Sequence, residues 1–198
     1  MDEAVLRSIA KWPNVPSVYG WLELDRRGTW LIKGDRIANR AVTEFIGRNY
    51  EADERGRWFF QNGPQRVFVT LDYTPFVIVT GDGTAALCTH TGGGIERVSG
   101  AWMDEAGALV LRWSGGVGVV NDRDLATVAR LFTDVHGKPA SDAALAKAFD
   151  PETRRHATGV YFEYAGNRVP VGRIRGGEVA QKFGFDPAPR PAEGESEC

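Results

Sequence analysis

Short apolar runs cut by turn residues fill most of the chain, and the hydrophobic period changes in only a few places. The densest such stretch is residues 57–80, RWFFQNGPQRVFVTLDYTPFVIVT. Its aromatic and β-branched runs predict strands over 57–61, 65–71 and 76–80, a meander with Asn62-Gly63 as its hairpin turn and Pro75 leading into the third strand. Gly81-Asp82-Gly83 predicts a further hairpin into 85–91, so four antiparallel strands are expected in succession. Upstream, 18–24 and 29–33 read as strands joined by Asp25-Arg26-Arg27-Gly28, whose glycine suits the left-handed position of a turn. Beyond Gly92-Gly93-Gly94, strands over 97–103 and 108–113 flank Asp104-Glu105-Ala106-Gly107. Residues 114–118 then form a glycine-rich loop, and 159–164 with 167–174 predict a last hairpin.

A helical period appears in four places. Residues 2–11 carry Val5, Leu6 and Ile9 on one stripe before Pro13 and Pro16 end the pattern. Asn39 is a natural N-cap for a helix whose apolar face is Val42, Phe45, Ile46 and Tyr50. Leu125, Val128, Phe132 and Val135 define a second amphipathic helix starting near Asn121 or Asp122, and 141–149 predict a third helix inserted after it. Past Phe185 the Pro, Glu, Ser and Gly content leaves too little apolar surface to offset ordering, so a disordered acidic C-terminal tail is expected.

The fold class that follows is α+β, with two related units of antiparallel sheet, each packed on one amphipathic helix. Residues 1–17 would be the N-terminal helix and linker, 18–94 the first unit, 95–183 the second with its inserted helix 141–149, and 184–198 the flexible tail. The units share an order: strand, Asp-x-x-Gly turn, strand, Gly-containing loop, Asn-led helix, hairpin. Residues 25–28 answer 104–107, Asn39 answers Asn121, and 62–69 answer 165–171. Asp53-Glu54-Arg55-Gly56 shows the same turn outside this correspondence, so ordinary turn punctuation is the competing explanation. If the repeat is structural, a groove between the units is the natural ligand site.

Composition narrows the function classes. A chain of 198 residues buries about two thirds of its unfolded surface without a metal or disulfide staple. Its net charge of −2 offers no general attraction to nucleic acid or anionic lipid. Two cysteines, Cys88 and Cys198, suggest neither a disulfide framework nor a metal knuckle, and a reducing cytoplasm fits them. The N-terminus starts acidic and lacks a continuous apolar stretch, so neither signal peptide nor membrane anchor is expected. Three scattered histidines make no metal site, and no cofactor is implied.

Several constellations carry candidate chemistry. Cys88 and His90 share a strand face, but at about 7 Å spacing they lie too far apart for direct proton transfer. Residues 114–118 resemble a phosphate cradle without the lysine such loops use, and Asp122 and Asp124 would repel phosphate there. Arg36 and Arg40 flank Asn39 at a helix start and would favour an acidic ligand. Trp58 and Phe60 on one strand face permit base stacking, as in RNA-recognition sheets, though the full motif is unmatched. Arg66 and Arg168 hold matching places in the two hairpins. Each is either a side chain shielding its own sheet or half of a clamp for a carboxylate or phosphate.

Gly28-Thr29-Trp30, Gly34, Ile37, the helix with Phe45, Asp53 and Gly56 before an aromatic strand, Gln65, Val67 and Thr74-Pro75-Phe76-Val77 together resemble the proteobacterial domain-of-unknown-function family numbered twelve eighty-five or a close relative of it. The resemblance spans roughly residues 22–132. It implies a fold of repeated α+β motifs and a signalling role, and it supplies no catalytic residue. The reading that results is a cytoplasmic, non-enzymatic module for an acidic small molecule or a protein partner, with Arg66, Arg168, Arg36, Arg40 and Trp30 as its ligand-binding residues. The alternatives are a hydrolase or transferase using scattered carboxylates such as Asp72, and a single-stranded RNA binder.

Overall fold

A computed structural model describes residues 1–12, 15–81, 84–150 and 157–191. The chain divides into two compact units, one made of residues up to Pro75 together with those from Ala180 on, the other of Phe76–Val179. The class is α+β, with two related sheets and an N-terminal helix, α1 (Glu3–Lys11).

The first unit holds β1 (Val18–Leu24), β2 (Trp30–Ile32), β3 (Asp35–Arg36), α2 (Arg40–Arg48), β4 (Tyr50–Ala52), β5 (Trp58–Asn62) and β6 (Gln65–Leu71). Its strands run in the order β3-β2-β1-β6-β5-β4. Only the central β1–β6 pair is parallel; the other neighbours are antiparallel. Alternation sorts the side chains onto two faces. Phe60 and Val67 share one face, where Phe45 of α2 meets Phe60 edge-on at 5.5 Å. The other face carries a buried aromatic cluster of Tyr19, Phe59 and Phe68. As expected, Asn39 caps α2, its side chain accepting from the backbone N–H groups of Ala41 and Val42.

The second unit holds β7 (Phe76–Thr80), β8 (Leu87–Thr89), β9 (Gly100–Met103), β10 (Leu109–Trp113), β11 (Gly116–Val120), α3 (Leu125–Val128), β12 (Phe132–Thr133), α4 (Asp142–Phe149), β13 (Ala157–Tyr164) and β14 (Asn167–Arg173). α5 (Val179–Phe183) follows. The order is β12-β13-β14-β9-β10-β11-β7-β8. Its first six strands, read from the other end, reproduce the first sheet: β9 pairs with β14 in parallel, and β10, β11, β13 and β12 extend outward in antiparallel pairs. A core of Leu109, Leu111, Val128, Phe162 and Val171 underlies this sheet.

Four Asp-x-x-Gly turns have one design. In each, the Asp side chain accepts the backbone N–H groups two and four residues on: Arg27 and Thr29 for Asp25, Arg55 and Arg57 for Asp53, Ala106 and Ala108 for Asp104, His136 and Lys138 for Asp134. The closing glycines, Gly28, Gly56, Gly107 and Gly137, all have φ between 75° and 80°, which a Cβ disfavours. Asp25 and Asp104 follow β1 and β9, the strands that hold matching places in the two sheets, and Asp53 and Asp134 follow β4 and β12. The turn left over by the sequence comparison therefore has its partner at residues 134–137.

Other expectations are corrected. The meander breaks after its second strand: β7 pairs in parallel with β11 in the second sheet. β6 is already flanked by β5 and β1, so no edge is left for a third antiparallel strand. Residues 76–80 and 87–89, expected with the first unit, thus pair in the second; Asp82 and Gly83 of the expected turn lie outside the described residues. The β5–β6 turn is Gly63-Pro64 rather than Asn62-Gly63, since Asn62 pairs with Gln65 and Gly63 has φ 57°.

The glycine-rich loop 114–118 is largely strand. Gly118 lies in β11, where a Cβ would meet the Phe76 carbonyl oxygen at 2.9 Å. The long second helix contracts to α3, with single 3-10 turns at 122–124 and 129–131, and Phe132 belongs to β12. The tail begins later than expected. Asp186 donates its backbone N–H to the Gly56 carbonyl, Leu71 donates to that of Pro187, and Phe185 is buried. Residues 192–198, with Cys198, lie outside the described residues.

Candidate functional site

The β5–β6 hairpin sets Phe59 opposite Phe68 and Gln61 opposite Arg66, so these four residues share a face. Tyr19 stacks on Phe68 with ring centroids 4.5 Å apart. Two guanidinium groups lie on this aromatic bed: Arg57 is 4.5 Å from the Phe68 ring centre and Arg66 is 4.5 Å from that of Phe59. Cation–π attraction favours both positions.

The two arginines differ in what else they touch. Arg57 is buried, its Nε donates to Asp53 Oδ2 at 2.7 Å, and one terminal nitrogen donates to the Tyr19 hydroxyl at 3.2 Å. Burial alone would raise the Asp53 carboxyl, but the Arg57 side chain and the backbone N–H groups of Arg57 and Arg55 outweigh it and hold Asp53 below the usual carboxylate value. Arg66 is exposed, and among the described residues it has no hydrogen bond or ion pair, only the Phe59 ring beneath it.

Two clefts adjoin Arg66. One of about 430 Å³ is walled by Glu51, Asp53 and Glu54 on the acidic side, by Arg55, Arg57 and Arg66 on the basic side, and by Ala52 and Phe59. The other, of about 570 Å³, has a more apolar wall formed by Met1, Leu6, Ile9, Val15 and Pro64, with Ser17, Glu51, Gln61 and Arg66 at its polar end. Arg66 and Glu51 line both. The first cleft offers two uncommitted guanidiniums, Arg55 and Arg66, since Arg55 is also exposed and its side chain has no bonded partner among the described residues.

The remaining candidates fare differently. Arg168, on β14 in the second unit, lies 3.9 Å from the Tyr161 ring centre. Its Nε donates to Thr133 Oγ1 at 3.2 Å, and a terminal nitrogen donates to the Asp134 carbonyl. Arg40 donates to Glu44 at 2.7 Å, and the Asn39 cap occupies two N–H groups that an anion at the start of α2 would need. Arg36 is exposed on edge strand β3. Trp30 is 3% exposed and meets Tyr50 edge-on at 5.1 Å, a core position that a ligand does not reach.

His90 accepts the Val77 N–H on Nδ1, and the Cys88 thiol faces the Val79 carbonyl at 3.6 Å, so the geometry does not join them as a base and nucleophile. His156 lies outside the described residues. Trp58 packs on Tyr50 with centroids 4.8 Å apart and Phe60 is buried, which removes the open stacking platform. Asp72 is exposed, 3.9 Å from Arg26. Among the described residues, no three His, Cys, Asp or Glu side chains are placed to hold a metal ion, and no helix is long and apolar enough to cross a membrane.

Arg55, Arg57 and Glu51 were absent from the expected site. The signal that locates two of them is the Asp53 turn: its side chain takes up the N–H groups of residues 55 and 57, and both are arginines.

The family model DUF2944, described as "Protein of unknown function (DUF2946)", matches residues 1–190. A DUF1285 family protein from Silicibacter pomeroyi DSS-3 has a similar structure, with 17% identity over 84% of this chain and 87% of that one and a TM-score of 0.54. A second DUF1285 family protein, from Shewanella baltica OS155, matches at 14% identity over 57% of this chain and 90% of that one, with a TM-score of 0.39. No curated protein matches. The expected kinship with family twelve eighty-five is therefore a likeness of fold to the first of these, while the matching family model is a different one.

Proposed function

The chain belongs to the DUF2944 family of proteins of unknown function, and we propose that it is a binding module whose first unit takes an acidic small molecule on Arg66. The observation that carries this reading is an exposed guanidinium, held in place by the Phe59 ring, that borders two clefts and has no partner among the described residues. A carboxylate or phosphate would pair with its planar fork. Arg55 can add a second contact from the same cleft wall.

The reading is of a sensor or regulator in the cytoplasm rather than an enzyme. The half-buried carboxyl of the cleft, Asp53, is held below its ordinary value by Arg57 and backbone N–H groups, and such a carboxylate is a poor general acid or base near neutrality. The matching strand orders and the two pairs of matching Asp turns support an origin of both units by internal duplication. On that view the site is a property of one copy.

Screening the whole chain by thermal shift against nucleotides and organic acids, followed by calorimetry on any hit, tests the reading. R66A is expected to weaken binding at least about thirty-fold, while R168A binds within about two-fold of the unaltered protein. An anionic ligand whose affinity is unchanged in R66A would refute the proposed site.

A further inference from the structure

Resting on the reading of Arg66 as an anion site, we infer that the ligand is an amphiphile: a monocarboxylate whose head sits on Arg66 and whose apolar tail lies along α1. The argument starts from the second cleft. Leu6 and Ile9 are three residues apart on α1, so they share one helix face. With Met1, Val15 and Pro64 they form the apolar part of a cleft of about 570 Å³ whose polar lining is Ser17, Glu51, Gln61 and Arg66. Val5 is buried and anchors the helix, whereas Leu6 is 53% exposed. Leu6, exposed beside the half-buried Ile9, is an apolar surface that gains by being covered.

Charge decides which occupant fits. A wholly apolar ligand would leave Arg66 without a counterion. A dianion such as a phosphate monoester would meet Glu51 and Glu54, both exposed in the adjoining cleft, and like charges at that range repel. One negative charge at the head, with bidentate geometry to match a guanidinium, satisfies Arg66 and meets less repulsion from Glu51, which lines both clefts, than two charges would. Because Arg66 lines both clefts, a head placed there leaves its tail free to run along Leu6 and Ile9 in the second. The chemical class is therefore a monocarboxylate with an apolar tail.

The test is calorimetric titration of the full-length protein with straight-chain carboxylates of two to twelve carbons, with alcohols of matched length and inorganic phosphate as comparisons. Affinity is expected to rise about four-fold per methylene until the cleft is filled. R66A should lose the preference for the carboxylate over its alcohol. L6D, a change at an exposed position that leaves the buried Val5 anchor in place, should flatten the length dependence while retaining binding of the shortest members. Carboxylate binding that depends on Arg66 but not on length would overturn the tail assignment and leave the anion site standing. Phosphate binding more tightly than every carboxylate, or alcohols binding as tightly as acids, would overturn the amphiphile. If no anion binds in an Arg66-dependent way, both the inference and the reading beneath it fall.

Discussion

Arg66 and Arg168 occupy the same place in two related hairpins and have been put to different use. Arg66 pairs across the strands with Gln61 and lies over Phe59; Arg168 pairs with Glu163 and lies over Tyr161. The scaffold, the stacking and the cation agree. What differs is the strand beyond the ring. Opposite Tyr161 stands Thr133, whose hydroxyl accepts from Arg168, and the next residue, Asp134, supplies a carbonyl. Opposite Phe59 stands Glu51, and Ala52 intervenes before Asp53. One additional strand residue carries the turn carbonyl about 3.4 Å further along. The second unit therefore satisfies its arginine internally, and the first leaves its arginine without a hydrogen-bond partner among the described residues, free for the ligand we propose. A binding site can arise by withholding a partner as well as by adding a residue.

The comparison can be broken most severely at the paired turns. Gly56→Ala would meet the Gly184 carbonyl oxygen at 2.3 Å with φ at 75°, so it should cost about 3 kcal/mol, the sum of left-handed strain and overpacking against backbone. Gly137→Ala has the same strain and open space around it, and should cost about 1 kcal/mol. Urea unfolding measures both, and equal losses would show that the two turns are not packed differently.

The arginines themselves should separate by less. R168A loses charge-assisted bonds to a hydroxyl and a carbonyl and should cost about 1.5 kcal/mol, whereas R66A loses only an exposed stacking contact, about 0.5 kcal/mol. If chemical denaturation finds R66A the more damaging, Arg66 is a structural residue and the contrast fails.

The smallest effect expected is in acid. The folded Asp53 value lies below the ordinary 3.8, so its contribution is fully present above that value and is lost as pH falls through the folded one. The stability gap between the unaltered protein and D53N should thus be constant near neutrality and narrow below about pH 4. A gap that persists to lower pH would place the stabilisation in something other than the ionised carboxylate.

Much of this architecture was legible in local patterns. The Asp25 and Asp104 turns, the Asn39 cap and both hairpins follow from short-range chemistry, and each is in the structure. Arg66 was legible too, as a position matched in two hairpins. Sheet membership was not: nothing in Phe76–Thr80 says that β1 already occupies the second edge of β6, because that edge is taken by a parallel strand some fifty residues upstream in the chain. The Asp134 turn was hidden inside an apparent helical period, in which Phe132 and Val135 fall at helical spacing by coincidence with a strand end. Arg57 was not legible, because a charged residue beginning an aromatic strand reads as solvated, whereas the half-buried Asp53 carboxylate and an aromatic bed make it part of the interior.

The backbone bonds from Asp186 to Gly56 and from Leu71 to Pro187 also bear on the order in which the protein is made. The strands of the first unit leave the ribosome before those of the second, yet the segment that closes over its Asp53 turn is synthesised only after the second unit. The nascent chain must therefore hold an incomplete amino-terminal unit through the translation of the whole of the other one. A truncation ending before Ala180 would never finish it.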